Sequence, residues 1–220
     1  MDRLYREWES RDPHLARWDR FCHAQPAARA VRNRKKFFLQ LLDTLDESSL
    51  SHPKVLNLAS GPGRDVAEHF ERHPDSRVQV HCVELDHSAI EYAARLCRPA
   101  QDRVSFEVGD ALKYRPPHHA FDLAWCAGLM DYVSDRAFVA ITRRLYDGVK
   151  PGGRLVVGNF SKDNPSRSYM EVFSNWVLIH RTEAELLELA HRAGLPDAST
   201  FVEREATGVN LFLTTNKPLE

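Results

Sequence analysis

The chain has 220 residues, 43% of them hydrophobic, and its 30 Lys and Arg side chains nearly balance its 31 Asp and Glu side chains. This length and apolar content predict a single domain, residues 1–220, with a full hydrophobic core. The net charge of -1 gives no general attraction to nucleic acid, so we expect no nucleic-acid partner. No apolar stretch approaches the roughly 20 residues that cross a bilayer, and residues 1–7 are too charged for a secretory signal. A cytoplasmic protein is therefore expected.

Residues 14–46 carry apolar side chains at helical spacing on both sides of Pro26. The pattern predicts two amphipathic helices that are broken near this proline. Residues 1–50 are then expected to form a helical cap over a core of residues 51–220. The one compact basic cluster, residues 32–36, is interpreted as a solvated helix face.

The stretch from Val55 to Val66 passes from a short apolar run into a glycine turn and then into the start of a helix. Residues 55–58 are typical of a strand buried on both faces, while Gly61 and Gly63 let the backbone turn tightly against a ligand. Such a junction is typical of nucleotide-binding sites, although many glycine loops are only turns.

A second apolar strand, residues 78–83, leads to Glu84, about twenty residues after the loop, which is the spacing expected of a ribose-binding carboxylate. A dinucleotide site would need a third glycine where Val66 stands, so that a pyrophosphate can approach the helix. The sequence contains no Gly-Lys-Ser or Gly-Lys-Thr, which excludes the phosphate-binding loop of nucleotide hydrolases.

The remaining elements complete an alternating pattern. Strands are predicted near residues 54–58, 78–83, 103–108, 121–126, 153–159, 199–205 and 209–215, and helices near residues 64–72, 87–97, 135–148 and 182–193. Strands that alternate with helices predict an α/β fold with a doubly wound sheet. Residues 206–208 are too short a link for parallel strands, so the last two strands must be antiparallel. We therefore predict a doubly wound, seven-stranded sheet with an antiparallel last strand and an N-terminal helical cap.

These segments resemble, in order and spacing, the class I S-adenosylmethionine (SAM) dependent methyltransferases, from about residue 30 to residue 215. The resemblance depends on the loop at residues 56–63, on Glu84 with the helix after it, and on residues 108–110 after the third strand. It implies a Rossmann-like fold and an enzyme that uses SAM and releases S-adenosylhomocysteine. It also implies that Glu84 binds the ribose and that Asp110 accepts a hydrogen bond from the adenine amino group.

By this resemblance, the cofactor site combines the loop, the ribose and adenine positions and one arginine of the cap. The expected residues are Arg34, Asn57, Ala59, Ser60, Gly61, Gly63, Glu84, Leu85, Asp110, Ala111, Cys126 and Ala127. The family usually has an acidic residue at the position of Asn57 and a glycine at that of Ala59. Asparagine can hydrogen-bond the same methionine groups without the charge, and alanine still permits a close approach.

The acceptor side is expected after strands four and five, because ligands of such sheets bind at the carboxyl ends of the strands. Residues 127–132, 159–170 and 176–183 lie there, and residues 159–170 are interpreted as too polar for the core. With residues 30–34 and 202–210, they resemble more narrowly a bacterial group of small-molecule methyltransferases. That group includes the synthases of 3-hydroxy fatty acid methyl ester signals. It implies a small-molecule acceptor, a carboxylic acid such as a 3-hydroxy fatty acid, methylated by direct in-line displacement.

A carboxylic acid asks little of the protein, because its carboxyl group is already ionised at neutral pH and needs no general base. Catalysis would then depend on alignment in a partly dry pocket. Tyr132, Tyr169 and Trp176 are the candidate walls, and Arg181 is the candidate carboxylate anchor through its bidentate fork. Two of these residues have a structural alternative: Trp176 can equally be a core residue, and Arg181 can pair with Glu183 or Glu185.

Other functions remain open at this point. If the acceptor is a hydroxyl or an amine, Asp131 is the residue placed to serve as a base, and His180 is the second. A methyltransferase acting on RNA or protein would need a basic groove, which the near-neutral charge does not suggest. A SAM-binding module without turnover would keep Glu84 and Asp110 but need no acceptor pocket.

The four cysteines are Cys22, Cys82, Cys97 and Cys126. They are widely separated and form no Cys-x-x-Cys pair, which argues against a zinc site and against a disulfide framework. We therefore expect reduced thiols and no metal.

Overall fold

The computed structural model describes residues 1–219, and within them seven strands form one sheet in the order β3-β2-β1-β4-β5-β7-β6. Strands β1 to β5 run parallel to their neighbours, whereas β7 is antiparallel to both β5 and β6. The strands are Lys54–Leu58 (β1), Gln79–Glu84 (β2), Val104–Val108 (β3), Phe121–Cys126 (β4), Val149–Phe160 (β5), Thr200–Arg204 (β6) and Asn210–Asn216 (β7). The predicted fold class is confirmed.

Eight α-helices accompany the sheet within the described part of the chain. They are Asp2–Tyr5 (α1), Pro13–Ala24 (α2), Pro26–Glu47 (α3), Arg64–Arg72 (α4), His87–Leu96 (α5), Asp135–Gly148 (α6), Arg167–Phe173 (α7) and Glu183–Arg192 (α8). Short 3₁₀ turns lie at Arg98–Ala100, Met130–Tyr132 and Asp197–Ser199. None of the helices formed by residues 1–219 combines the length and the apolar character needed to cross a membrane.

The helices cover both faces of the sheet, which explains why its central strands read as continuous apolar runs rather than alternating ones. Every residue of β4 is buried. On one face, α3 and α4 pack on the sheet around Phe38, Val66 and Phe70. On the other face, α6 and α8 pack around Phe138 and Leu186. Helix α8 begins with a capping box in which Thr182 and Glu185 bond each other's backbone N–H groups.

The break between the two N-terminal helices falls at Pro26, as predicted, and Pro26 occupies the first turn of α3, where a missing N–H costs nothing. Two helices, α1 and α7, were not predicted, because four and seven residues are too few for a periodic signal. Strand β5 starts at Val149, earlier than expected, since Val149 already pairs with Phe121 across a shift in register.

The polar segment at residues 159–170 differs from its prediction, because part of it is buried. Ser161, Asn164 and Ser166 are buried, whereas the residues between them are exposed. Asn164 is one of its members, and its side chain accepts the N–H of Ser166 and lies 3.2 Å from His180 Nε2. Ser166 Oγ in turn accepts the N–H of Ala27 at the start of α3. The segment is compatible with burial because its polar groups bond to one another and to the cap.

Candidate active site

A cleft of about 390 Å³ opens at the carboxyl ends of β1, β2 and β4. This is the edge at which parallel α/β sheets bind ligands. The residues expected there from the sequence that do line it are Arg34, Asn57, Ala59, Ser60, Gly61, Glu84, Leu85, Asp110, Ala111 and Ala127.

The loop after β1 turns sharply at the floor of the cleft. Ala59 and Gly61 both have left-handed backbones, with φ of 56° and 58°. Glycine adopts this conformation freely, whereas alanine at position 59 holds it at a cost. A side chain at Gly61 would point into open space, so its absence widens the cleft rather than relieving a clash.

The carboxylate of Glu84 fastens this loop to the end of β2. Oε2 accepts the N–H of Gly61 at 2.8 Å, and Oε1 accepts the N–H groups of Leu85 at 2.8 Å and Asp86 at 3.1 Å. A carboxylate has about four acceptor positions, so one remains for a hydroxyl in the cleft. Glu84 thus shapes the loop and can also bind a ribose.

Asp110 lies on the far side of the cleft, after β3. Its Oδ1 accepts the N–H of Leu112 at 2.9 Å, which holds the turn that follows. Its other oxygen lies 3.7 Å from Lys113 Nζ. A carboxylate held in this way can accept a further hydrogen bond from an exocyclic amine.

Two polar atoms in the loop region test whether SAM fits. Asn57 Nδ2 is buried and has no hydrogen-bond partner among the described residues, and the buried Ser60 Oγ has only the weakly bonding thiol of Cys82 beside it. Buried polar groups are rarely left unpaired, so both call for a ligand. An amide N–H and a hydroxyl suit the carboxylate and amino groups of a methionine moiety, and the residues present therefore fit SAM.

The N-terminal helix α1 closes part of the cleft, which Met1 and Tyr5 line. Asp2 holds this helix in place, because its carboxylate accepts hydrogen bonds from Arg64 Nε at 2.7 Å and from Tyr92 Oη at 3.1 Å. Arg64 and Tyr92 belong to α4 and α5, so these bonds hold α1 against the core beside the cleft.

Arg34 reaches the cleft from α3. It is buried, and its Nη1 donates to the carbonyl oxygen of Ala127 at 2.6 Å. Burial would lower the pKa of Arg34, but Tyr5, Asp131 and Asp65 raise it. Burial raises the pKa of Asp65 to about 6, although the N–H of Val66 and the charge of Arg34 act in the opposite direction.

Two residues expected in the cofactor site do not line the cleft. Gly63 caps α4, and a Cβ there would lie 2.9 Å from Cβ of Ala93, so this glycine serves close helix packing. Cys126 packs in the core beneath α6, and burial raises the pKa of its thiol to about 12.

Asp131, the candidate base, is 2% exposed and does not line the cleft. Its Oδ1 accepts the N–H of Phe160 in β5. Burial raises its pKa to about 6, although that N–H and the charges of Arg34 and Arg181 lower it. The geometry therefore indicates that Asp131 joins the turn after β4, residues 127–133, to strand β5, and does not transfer a proton.

A raised pKa in the folded state makes this carboxyl a source of pH-dependent stability. The folded protein holds the proton more tightly than the unfolded chain, so the contribution of Asp131 is full below pH about 4 and is lost as pH rises through about 6. Between pH about 4 and pH about 6, we expect the free energy of unfolding of Asp131→Asn to fall less than that of the wild type. Urea unfolding at several pH values checks this, with the exposed Asp75→Asn as control. Equal slopes for Asp131→Asn and wild type would contradict the assignment.

Arg181, the candidate anchor, is 3% exposed and has no N–H left for a substrate. Nε and Nη2 both donate to Asp135 Oδ1, at 3.1 and 2.8 Å, and the remaining three bonds go to groups of the surrounding loop and strand. These acceptors are the carbonyls of Met130 and Val133 and the side chain of Asn159. Because all five donors are engaged, Arg181 holds the β4 turn together, and the expectation of a carboxylate anchor is not supported.

Tyr132 and Tyr169, the candidate walls, lie apart. Tyr132 is exposed, and its hydroxyl accepts Trp176 Nε1 at 2.7 Å. Tyr169 on α7 lies 2.9 Å from Cys22 Sγ and stacks on Phe173. His180 is buried against Leu178 and Asn164, so it is no free base.

An exposed aromatic band continues from Tyr169. We define it as Trp18, Phe21, Tyr169 and Phe173, whose successive ring centroids are 6.1, 5.6 and 5.7 Å apart. Met170 of α7 belongs to a hydrophobic cluster against which Tyr5, a residue that lines the cleft, also packs.

Pro62, Gly109, Gly128 and Leu129 line the cleft and lie in stretches that were expected there. The sequence analysis missed other lining residues, namely Met1, Tyr5, Lys35, Asp65, Leu112, Trp125 and Val133. Asp65 could have been found as the acidic residue that opens the helix after the loop. Met1 and Tyr5 carry no local signal, since only tertiary packing brings α1 across the sheet.

The comparison with family models agrees with this geometry. Residues 55–153 match a family model described as a methyltransferase domain. Among curated proteins, the chain is similar to phosphoethanolamine N-methyltransferase 3 of Arabidopsis thaliana, with 28% identity over 112 residues. That alignment covers 50% of this chain and 21% of the plant protein, so the chain spans about one fifth of this relative's length.

Solved structures show the same architecture. A possible exported protein from Bordetella parapertussis has a TM-score of 0.79 at 21% identity, over 99% of this chain and 78% of that chain. The 1,6-didemethyltoxoflavin-N1-methyltransferase of Burkholderia thailandensis, with bound 1,6-didemethyltoxoflavin and S-adenosylhomocysteine, has a TM-score of 0.60 at 22% identity. The alignment of the two structures covers 82% of this chain and 78% of the Burkholderia chain. At these identities the likeness shows the fold.

Proposed function

We propose that this chain is a SAM-dependent methyltransferase that methylates a small-molecule carboxylic acid. The match of residues 55–153 to a methyltransferase domain supports the first part of this proposal. The proposed acid carries an apolar chain, and 3-hydroxy fatty acids are the first class to test. The observation that carries the proposal is the lining of the cleft beside Leu129 and Val133, which contains apolar side chains and, among the described residues, no histidine and no carboxylate without a partner.

The lack of a base favours an acceptor that needs none. The acidic groups of the cleft are committed elsewhere: Glu84 and Asp110 hold loops, and Asp65 faces Arg34. A carboxylate is already ionised at neutral pH, so no side chain has to remove a proton. An amine or a hydroxyl would have to lose one.

The aromatic band supports an apolar chain on the acceptor. Phe173 is 80% exposed and Trp18 is 67% exposed, which is unusual for such large apolar side chains at the surface of a folded domain. With its carboxylate in the cleft, an acyl chain could extend over α7 and α2. Burying apolar area there would supply binding energy of about 25 cal/mol per Å².

SAM supplies a methyl group on a positively charged sulfur, which leaves as a neutral thioether. The residues of this chain bind and orient. Glu84, Asp110 and Asn57 would hold the ribose, adenine and methionine parts, and Tyr5 on the cap would exclude water. Alignment of acceptor and methyl group in such a cleft supplies the rate enhancement.

A nitrogen acceptor is the second candidate, since the Arabidopsis relative and the Burkholderia structure are N-methyltransferases by name.

We further propose a cytoplasmic location. The four cysteines, all within the described residues, are free thiols, and such thiols persist in reducing compartments.

The test supplies methyl-labelled SAM with a 3-hydroxy fatty acid, its amide and an amine of equal chain length. We expect label only in the acid, released by mild alkali as methanol. Alkali-stable label in the amine would replace the proposal by nitrogen transfer. No label from a protein that binds S-adenosylhomocysteine would favour a binding module. Glu84→Ala, which should bind the cofactor poorly, is the matched control for background transfer.

A further inference from the structure

At the end of α4, His69 of this helix and His73, the residue that caps it, face Asp43 of α3. Asp43 Oδ1 lies 3.4 Å from His69 Nδ1 and 3.2 Å from His73 Nε2. These three atoms all lie within 4.8 Å of one another. His73 follows His69 by four residues at the C-cap of α4, so both side chains lie at the same end of this helix.

His69 is 0% exposed, and its ring is oriented by a relay on the other side. His69 Nε2 lies 3.1 Å from Ser76 Oγ, which donates its only proton to Asp46 Oδ1 at 2.9 Å. Because a carboxylate can only accept, Ser76 must accept from His69, and Nε2 therefore carries the ring proton. In the neutral ring, Nδ1 is then left as a bare lone pair.

That lone pair points into the cluster without a partner. Nδ1 of His69 has no hydrogen-bond partner among the described residues, although the Asp43 carboxylate is its nearest charged neighbour. The ring nitrogen is buried, whereas the Asp43 side chain is 41% exposed. Two acceptor atoms that face each other in this way are unfavourable unless a proton or a metal cation lies between them.

We propose that Asp43, His69 and His73 bind a divalent zinc ion that clamps α3 to α4. Zinc bonds to nitrogen and oxygen ligands are about 2.0 to 2.2 Å long, which puts tetrahedral ligands roughly 3.3 Å apart. The two distances at Asp43 match this edge. Two imidazoles and one carboxylate are a zinc donor set, and the fourth position stays open to water.

The relay through Ser76 and Asp46 is the outer shell that such a site needs. A metal-binding histidine normally donates its other N–H to a hydrogen-bonded acceptor, which fixes the ring and the tautomer. Asp46 is itself held by the N–H of Arg77 at 3.1 Å. The donor atoms, the tautomer and the ring orientation are thus set before the ion arrives.

The site is separate from the active-site cleft. His69 and His73 follow Arg64, the first residue of α4, by five and nine residues, or roughly 8 and 14 Å along the helix axis. Closer to the cleft, Lys35 and Glu68 join the same two helices at 2.7 Å. A zinc ion would extend this contact and fix α3, the helix that carries Arg34.

The test uses tag-free, metal-depleted protein titrated with ZnCl₂, followed by calorimetry and by thermal unfolding. We expect one ion per chain, and an increase in Tm of roughly 5 to 10 °C at a zinc concentration of about 100 times Kd. Co²⁺ in place of zinc should give the visible absorption of a tetrahedral site.

Two variants remove one ligand each at partly exposed positions. His73→Ala and Asp43→Asn should raise the Kd for zinc at least about 10-fold and abolish the increase in Tm. The matched control is His191→Ala, an exposed histidine 3.2 Å from Asp197 with no second histidine. It should bind zinc like the wild type.

Zinc binding of equal strength in all three variants would overturn the proposal, as would no measurable binding at about 100 μM zinc, a very weak affinity. Zinc binding without an increase in Tm would overturn the inference that the ion clamps α3 to α4. Affinity for S-adenosylhomocysteine, measured on the metal-depleted His73→Ala protein, should remain within about twofold of the wild type, a difference of less than 1 kcal/mol.

Discussion

Replacing Arg181 by alanine is expected to lower the free energy of unfolding by about 3 kcal/mol or more, because several buried acceptors lose their donor, each at a cost of about 1 to 3 kcal/mol. The five N–H groups of Arg181 satisfy carbonyls of the β4 turn and the side chains of Asn159 and Asp135. Its charge also faces the buried carboxyl of Asp131. Alanine would leave these acceptors unpaired at a site where water has little access.

Urea unfolding at neutral pH measures this change. Arg204→Ala is the control, because Arg204 is about half exposed and pairs with Glu183 at 2.7 Å. Its loss should cost less than about 1 kcal/mol. Arg181→Lys, which keeps the charge but not the planar fork, should lie between the two. If Arg181→Ala unfolds like the wild type but loses only methyl transfer, Arg181 binds the acceptor after all.

Replacing Glu84 by alanine is expected to weaken S-adenosylhomocysteine binding by roughly 1.5 to 3 kcal/mol, which is about 10- to 150-fold in Kd. Two effects contribute. The variant loses the acceptor available to a ribose hydroxyl, and the loop loses the carboxylate that holds the N–H of Gly61. Both effects weaken binding. The first removes a contact to the ligand, and the second loosens a loop that must then be ordered when the ligand binds.

Calorimetric titration with S-adenosylhomocysteine measures the affinity without turnover. Glu84→Gln keeps one acceptor oxygen, and we expect it to bind with intermediate affinity. Glu107→Ala removes a carboxylate from the neighbouring strand, where it pairs with His81, and should bind like the wild type. An unchanged Kd for Glu84→Ala would mean that the ribose site lies elsewhere in the cleft.

The comparison of these two residues shows where sequence analysis is reliable. Glu84 was predicted from its place after an apolar strand, and in the structure it joins the loop at Gly61 to the end of β2. Arg181 lies in a segment that was placed correctly at the carboxyl end of the sheet. However, its side chain turns inward, and no pattern in the sequence distinguishes an inward guanidinium from one that faces a ligand.

The sequence by itself determined the chain order of the seven strands and of the helices between them, and the antiparallel closing hairpin. These features depend on local physics: the periodicity of apolar residues and the length of links. The ribose and adenine positions came from the resemblance and stay predictions. The tertiary structure alone decided that Tyr5 covers the cleft, that Asp131 and Arg181 are buried, and that Asp43 meets His69. Those contacts join residues distant in the chain, and the side-chain directions that create them are fixed only when the helices pack on the sheet.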